Sequence, residues 1–188
     1  MIEIKNIFKS FGSSEVLIDI SAKFERGKTN LIIGQSGSGK TVLLKCLLGL
    51  YAIDDGELIY DNIYSSKMND EEKININREM GMVFQGSALF DSMTVLENVR
   101  FPLDMLTKYS DIEKNEIALK FIDRVNLNDA INKLPSEISG GMQKRVGIAR
   151  AIVLNPKYLF CDEPNSGLDP KTAIVIDNLI QEITKEYN

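Results

Sequence analysis

The chain has 188 residues, 44% apolar and 26% charged, with a net charge of −5. Those values describe a globular domain with a real core, and the acidic balance argues against a nucleic-acid-coating protein. It contains no histidine, which excludes histidine-based catalysis and histidine metal sites. No apolar run approaches the ~18 residues of a membrane-spanning helix. Met1-Ile2-Glu3-Ile4-Lys5 lacks the pattern of a secretory signal. Cys46 and Cys161 sit in apolar runs and read as buried thiols of a reducing compartment, not as a disulfide.

In chain order, Ile2 and Ile4, then Ile18, Ile20, Ala22 and Phe24, alternate as in half-buried strands. After a turn at 25–28, residues 29–33 end in an apolar run that predicts a strand covered on both faces. Residues 34–39 break it, and 40–50 read as a buried helix through Val42, Leu43, Cys46, Leu47 and Leu50. Asp54-Asp55-Gly56 turns into an edge strand over 57–60. A charged surface helix follows over 68–80, then a short strand over 81–85. Helices are expected over 94–101 and 111–127, the second with Ile117, Phe121 and Val125 on one face. A helix over 141–154 closes at Asn155-Pro156, and 158–161 is a short apolar strand. Pro170 opens a last helix whose inner face carries Ala173, Ile176, Ile180 and Ile183. Strands alternating with helices imply an α/β fold with a parallel core sheet flanked by helices. An antiparallel β-lobe precedes it, and a helical lobe is inserted over about residues 87–138.

Gly34-Gln35-Ser36-Gly37-Ser38-Gly39-Lys40-Thr41 fits the phosphate-loop pattern G-x-x-x-x-G-K-[ST], with an apolar run before it and the helix over 40–50, which carries Val42, at its end. Glycines let successive backbone N–H groups curl around phosphate oxygens, and the helix start adds positive potential. Lys40 would reach the terminal phosphates and Thr41 would ligate Mg²⁺. The strand at 158–161 runs into Asp162 and Glu163. Asp162 is placed to hold the Mg²⁺ shell and Glu163 to polarise an attacking water.

Ser139-Gly140-Gly141-Met142-Gln143 opens the helix that continues Lys144-Arg145-Val146-Gly147-Ile148-Ala149-Arg150-Ala151. Alone it is a capping serine before permissive glycines. Beside a phosphate loop that cradles one face of a nucleotide, it is a second phosphate-binding helix start. It resembles the signature of the ATP-binding-cassette (ABC) ATPases, in which two subunits sandwich two nucleotides and each signature serves the partner's nucleotide. The resemblance implies roles for further residues. Gln85 matches the Q-loop glutamine that senses Mg²⁺ and the γ-phosphate, and Ser166-Gly167-Leu168-Asp169 matches the D-loop at the dimer interface. Phe11 sits where the family places an adenine-stacking aromatic; a core role is the alternative.

The resemblance therefore implies a P-loop NTPase of the ABC type with MgATP as substrate. Lys40, Gln85 and Glu163 would be catalytic. Thr41, Gln85 and Asp162 would hold Mg²⁺. Residues 34–42 and Phe11 would bind nucleotide, with Ser139, Gly140, Gly141 and Gln143 reaching the partner's. It also implies a homodimer, an integral membrane permease as partner, and a peripheral place on the cytoplasmic face of the plasma membrane. Residues 84–93, 139–146 and 162–170 are more narrowly similar to the ATPase subunits of bacterial phospholipid transporters of the Mla type, where Met142 in place of a glutamine is familiar.

The family's switch histidine lies on a later strand, whereas this sequence stops at Asn188. The expectation is a single ABC ATPase domain over 1–188 belonging to a longer protein. The alternatives are a non-hydrolysing nucleotide-binding module, or an ATPase for another solute. ABC ATPases of DNA repair or translation carry a long coiled coil or a second cassette; the stretch between Gln85 and Ser139 is only about fifty residues, without sustained heptads. Ala88, Leu89 and Phe90, beside Gln85, are apolar enough either to dock the permease or to pack in the core.

Overall fold

The computed structural model describes residues 1–186. The chain forms two compact units, one of residues 1–77 with the segment from Thr184, the other of residues 78–183.

In the first unit four strands form an antiparallel sheet in the order β2-β1-β3-β4. They are β1 (Ile2–Phe11), β2 (Ser14–Phe24), β3 (Asp55–Tyr60) and β4 (Ile63–Tyr64). Ile2, Ile4, Ile7, Leu17, Leu58 and Tyr60 are buried. The alternation changes phase part-way. Asn6 and Asp19 both take positive φ, at 47° and 53°, and the Asn6 amide donates to Asp19 Oδ1 at 2.7 Å. This bulge shifts the register between Ile4 and Ile7, so Leu17 turns inward while Ile18 is 55% exposed, against its expected place in the alternation. β3 is an inner strand rather than the expected edge, because the short β4 pairs with its outer side.

The helix α1 (Lys40–Leu47) buries Leu43, Leu44, Cys46 and Leu47. It ends earlier than the apolar pattern implies: Gly49 takes φ 69° and leaves Leu50 exposed. The buried Tyr60 hydroxyl donates to Leu47 O at 2.6 Å and holds the helix end against β3. The helix α2 (Asp70–Arg78) is charged and buries nothing. Residues 29–33, expected as a strand covered on both faces, form no strand, and Leu31 and Ile33 are largely exposed. A strand exists only through its partners' hydrogen bonds. The strands of this unit are all engaged in the antiparallel sheet.

The second unit holds the parallel pair β5 (Met80–Val83) and β6 (Tyr158–Cys161), in register from Met80↔Tyr158 to Val83↔Cys161. Around it pack α3 (Val95–Leu106), α4 (Asp111–Arg124), α5 (Gly140–Ile152) and α6 (Pro170–Glu186). Their core joins Val95, Val99 and Leu103 of α3, Phe121 and Ile122 of α4, Val146, Ile148 and Ile152 of α5, and Ile176 and Leu179 of α6. α4 stops at Arg124 because Asn126 takes φ 55°, though Val125 and Leu127 beyond it remain buried. No helix among the described residues is long and apolar enough to cross a membrane.

Candidate nucleotide site

Most candidate residues stand at the start of a helix or just past the end of a strand. In the first unit, residues 34–39 form the loop into α1. Gly39 is its N-cap at φ 93°. A Cβ there would lie 3.0 Å from Leu17 Cδ2 and 3.1 Å from Val16 O, so both the backbone angle and the space require glycine. Lys40 folds back over the loop, its Nζ donating to Gly34 O and Gln35 O at 2.9 Å each. The start of α1 has no side-chain cap and no acidic residue in its first turn. Its first amides have no helical acceptor.

The donor set suits phosphate. Ser36, Ser38 and Thr41 supply hydroxyls, the glycines supply approachable N–H groups, and Lys40 supplies a cation. Phe11 is 44% exposed. Its ring meets Tyr51 edge-on at 5.3 Å, and Lys9 Nζ lies 5.3 Å from its centroid. It is neither core nor wholly open.

In the second unit the parallel register brings two strand ends together. Val83↔Cys161 is the last pair, and Asp162 N donates to Val83 O at 2.9 Å. Gln85 and Glu163 then meet: Gln85 Nε2 donates to Glu163 Oε2 at 2.8 Å and lies 3.3 Å from Ser166 Oγ. Glu163 takes φ 44°, a left-handed backbone that costs a non-glycine residue about 1 kcal/mol or more. Asp162 is buried. Burial pushes the neighbouring Cys161 thiol up to about 12, which keeps it protonated and inert.

The start of α5 is capped lightly. Ser139 Oγ accepts from Met142 N at 3.3 Å, and its first turn has no acid. A Cβ on Gly141 would stand 2.5 Å from Thr172 Cγ2, so this glycine lets α5 lie against the start of α6. Gln143, grouped with the signature by sequence, instead donates to Pro135 O at 2.9 Å. Asp169 caps α6. It accepts from Lys171 N, Thr172 N and Thr172 Oγ1, and the bond from the Thr172 hydroxyl leads the causes that hold its carboxyl below the usual range.

No cluster of three metal-binding side chains occurs among the described residues. Magnesium fits nonetheless, because it is commonly held by one or two carboxylates, phosphate oxygens and water rather than by a protein cage. In the second unit Gln85 and Asp162, at the neighbouring ends of β5 and β6, offer such ligands.

Three residues to which the sequence assigns no role shape the second unit's site. Lys144 Nζ donates to Gln85 O. Arg150 donates to Ser87 O at 2.6 Å and Ala88 O at 2.8 Å. Asn98, fully buried in α3, accepts from Phe90 N and donates to Phe90 O, Met93 O and Thr94 O. A polar residue between Leu96 and Val99 was the signal for Asn98. Ala88 and Phe90 are exposed, whereas Leu89 packs against the core. Phe90 lines a groove of about 310 Å³ with Met82, Phe84, Ala88, Phe101 and Leu106.

Residues 17–166 match the family model described as ABC transporter. The chain is 40% identical over 187 residues to the "Probable ribonucleotide transport ATP-binding protein mkl" of Mycobacterium leprae (strain TN), covering 100% of this chain and 54% of that protein. It is 39% identical to the L-cystine import ATP-binding protein TcyC of Bacillus subtilis (strain 168), covering 99% and 76%. A solved dimeric structure of a post-hydrolysis state of the ATP-binding cassette MJ0796, bound to ADP and Pi, superposes with a TM-score of 0.87. The identity there is 34%, over 99% of this chain and 84% of that one. The chain spans about half the length of the mycobacterial relatives it matches.

Proposed function

The chain belongs to the ABC transporter family, and from that premise we propose that it is the ATP-binding and ATP-hydrolysing part of a subunit that powers a membrane transporter of phospholipid. The observation that carries the reading is the pair of glycine-led helix starts, α1 and α5, both without an acidic residue in the first turn. One phosphate-binding start serves a nucleotide from one side; two complementary ones suit a nucleotide held between two copies.

Each residue then has a task. In the first unit the loop amides and Lys40 would bind the phosphates and Thr41 would offer its hydroxyl to Mg²⁺; in the second unit Gln85 and Asp162 would offer Mg²⁺ ligands. The ion supplies neutralisation of phosphate charge. Glu163 orients and polarises the attacking water, and Gln85, hydrogen-bonded to Glu163, places it. Ser139, Gly140 and Gly141 face the phosphates of the partner's nucleotide. Phe11 offers its open ring surface to the adenine. Ser166 to Asp169 form part of the dimer surface.

The phospholipid cargo rests on the likeness of residues 84–93, 139–146 and 162–170 to Mla-type ATPases; the curated relatives carry the names of other solutes. The groove at Phe90 is the docking place for a short helix of an integral permease. Gln85 leads directly into its rim, so phosphate release can move the permease.

The test is purification of the full-length gene product with its membrane partner. Phospholipid should copurify and stimulate ATP hydrolysis, and Glu163→Gln should abolish turnover while sparing MgATP binding. Stimulation by an amino acid or nucleotide instead would contradict the lipid assignment. Phe90→Asp should release the permease while MgATP binding survives; normal copurification of that variant would place the docking site elsewhere.

A further inference from the structure

We propose that Lys144 is a positioning residue, which fixes the main chain of Gln85 from α5 and thereby presents the Gln85 amide to Glu163. The inference rests on the hydrolytic reading above. Lys144 is only 5% exposed, and its ammonium donates to the Gln85 carbonyl. A buried charge is costly unless it is hydrogen-bonded, and simple packing there would be served better by an apolar side chain.

The same helix face grips the next residues. Ser87 and Ala88 take φ 61° and 46°, an unfavourable backbone for two successive non-glycine residues. A Cβ at Gly147 would stand 3.5 Å from Ser87 Cβ, in ordinary contact. Arg150 accounts for both the Ser87 and Ala88 carbonyls. Residues 144, 147 and 150 recur every three residues along α5, whose first residues are the signature. The loop from Gln85 to Ala88 therefore moves with α5. The Gln85 side chain completes the line at 2.8 Å from Glu163. Any displacement of the signature helix is passed to the carboxylate through Lys144 and Gln85.

The experiment compares Lys144→Met, Lys144→Gln, Gln85→Ala and the double variant Gln85→Ala/Lys144→Met in the full-length gene product. Lys144→Met should lower kcat by about tenfold or more and leave KM for ATP within about twofold, as expected when alignment rather than binding is lost. Lys144→Gln, which keeps a donor, should recover most of that loss. In the Gln85→Ala background, Lys144→Met should add less than about twofold, because the two act in series. A second measurement needs no turnover: Lys144→Met should raise amide hydrogen exchange at residues 86–88 relative to the core of α5. Unchanged kcat in Lys144→Met, multiplying losses in the double variant, failure of Lys144→Gln to recover, or unchanged exchange at 86–88 would each overturn the proposal. Turnover abolished by Glu163→Gln is the control. If that control fails, the hydrolytic reading falls, and the exchange measurement still decides whether Lys144 holds the loop.

Discussion

Two kinds of helix start coexist in this chain. α3 and α4 are closed by capping boxes, Thr94 with Glu97 and Ser110 with Glu113, each pair exchanging bonds between side chain and backbone. α1 and α5 open on glycines, with no side-chain cap on the first and a lone serine on the second, and neither has an acid in its first turn. A carboxylate at a helix start stabilises the helix and also occupies its positive end. The first pair are closed by their own sequence. The second pair leave that end open and forgo the local stabilisation. The contrast separates scaffold from site more sharply than glycine content does, since Gly49 ends α1 and Gly56 lies in β3 against the backbone of Lys5 and Asn6, both outside the site.

The comparison can be broken in several places. Lys40→Ala removes the one side-chain cation of the α1 start and should weaken MgATP binding by about two orders of magnitude, read by calorimetry. Met142→Glu would write a Ser-x-x-Glu capping box into α5, converting a site start into a scaffold start. It should raise the melting temperature slightly and weaken ATP-driven association by about tenfold, read by sedimentation. The reverse change, Thr94→Ala, should cost about 1 kcal/mol in urea unfolding and leave MgATP affinity unchanged. The smallest effect is pH dependence. Backbone and hydroxyl bonds from Thr94 hold Glu97 below the usual carboxylate range; the Ser110 hydroxyl, then its N–H, do the same for Glu113. A depressed folded pKa adds stability above the unfolded pKa, lost as pH falls through the folded value. Acid should therefore lower the melting temperature as the pH drops below the ordinary carboxylate range. Glu97→Gln should shallow that slope.

Local signals were legible and long-range ones were not. The strand of β6 and the helix from Pro170 stand where apolar pattern and proline placed them. The strand at 29–33 could not be judged from its own residues, because its existence depends on partners. The phase change at Asn6 and Asp19 was invisible to a period-two reading, since a bulge is set by pairing between strands. Gln85 and Glu163 could each be assigned to a strand end. That those ends are neighbours follows only from the parallel register of β5 and β6. Lys144 and Arg150 were quoted in the signature helix without a role, because their partners lie 59 to 63 residues away. No local pattern announces a lysine or arginine bound to a distant carbonyl.

On the proposed function, the two open helix starts meet the same nucleotide from two copies of the chain. This is tested most directly by sedimentation of the Glu163→Gln full-length product with and without MgATP. The expected result is a monomer without nucleotide and a dimer with it, and a dimer about tenfold weaker when Met142→Glu is added. A Glu163→Gln protein that binds MgATP by calorimetry yet sediments as a monomer throughout would contradict it.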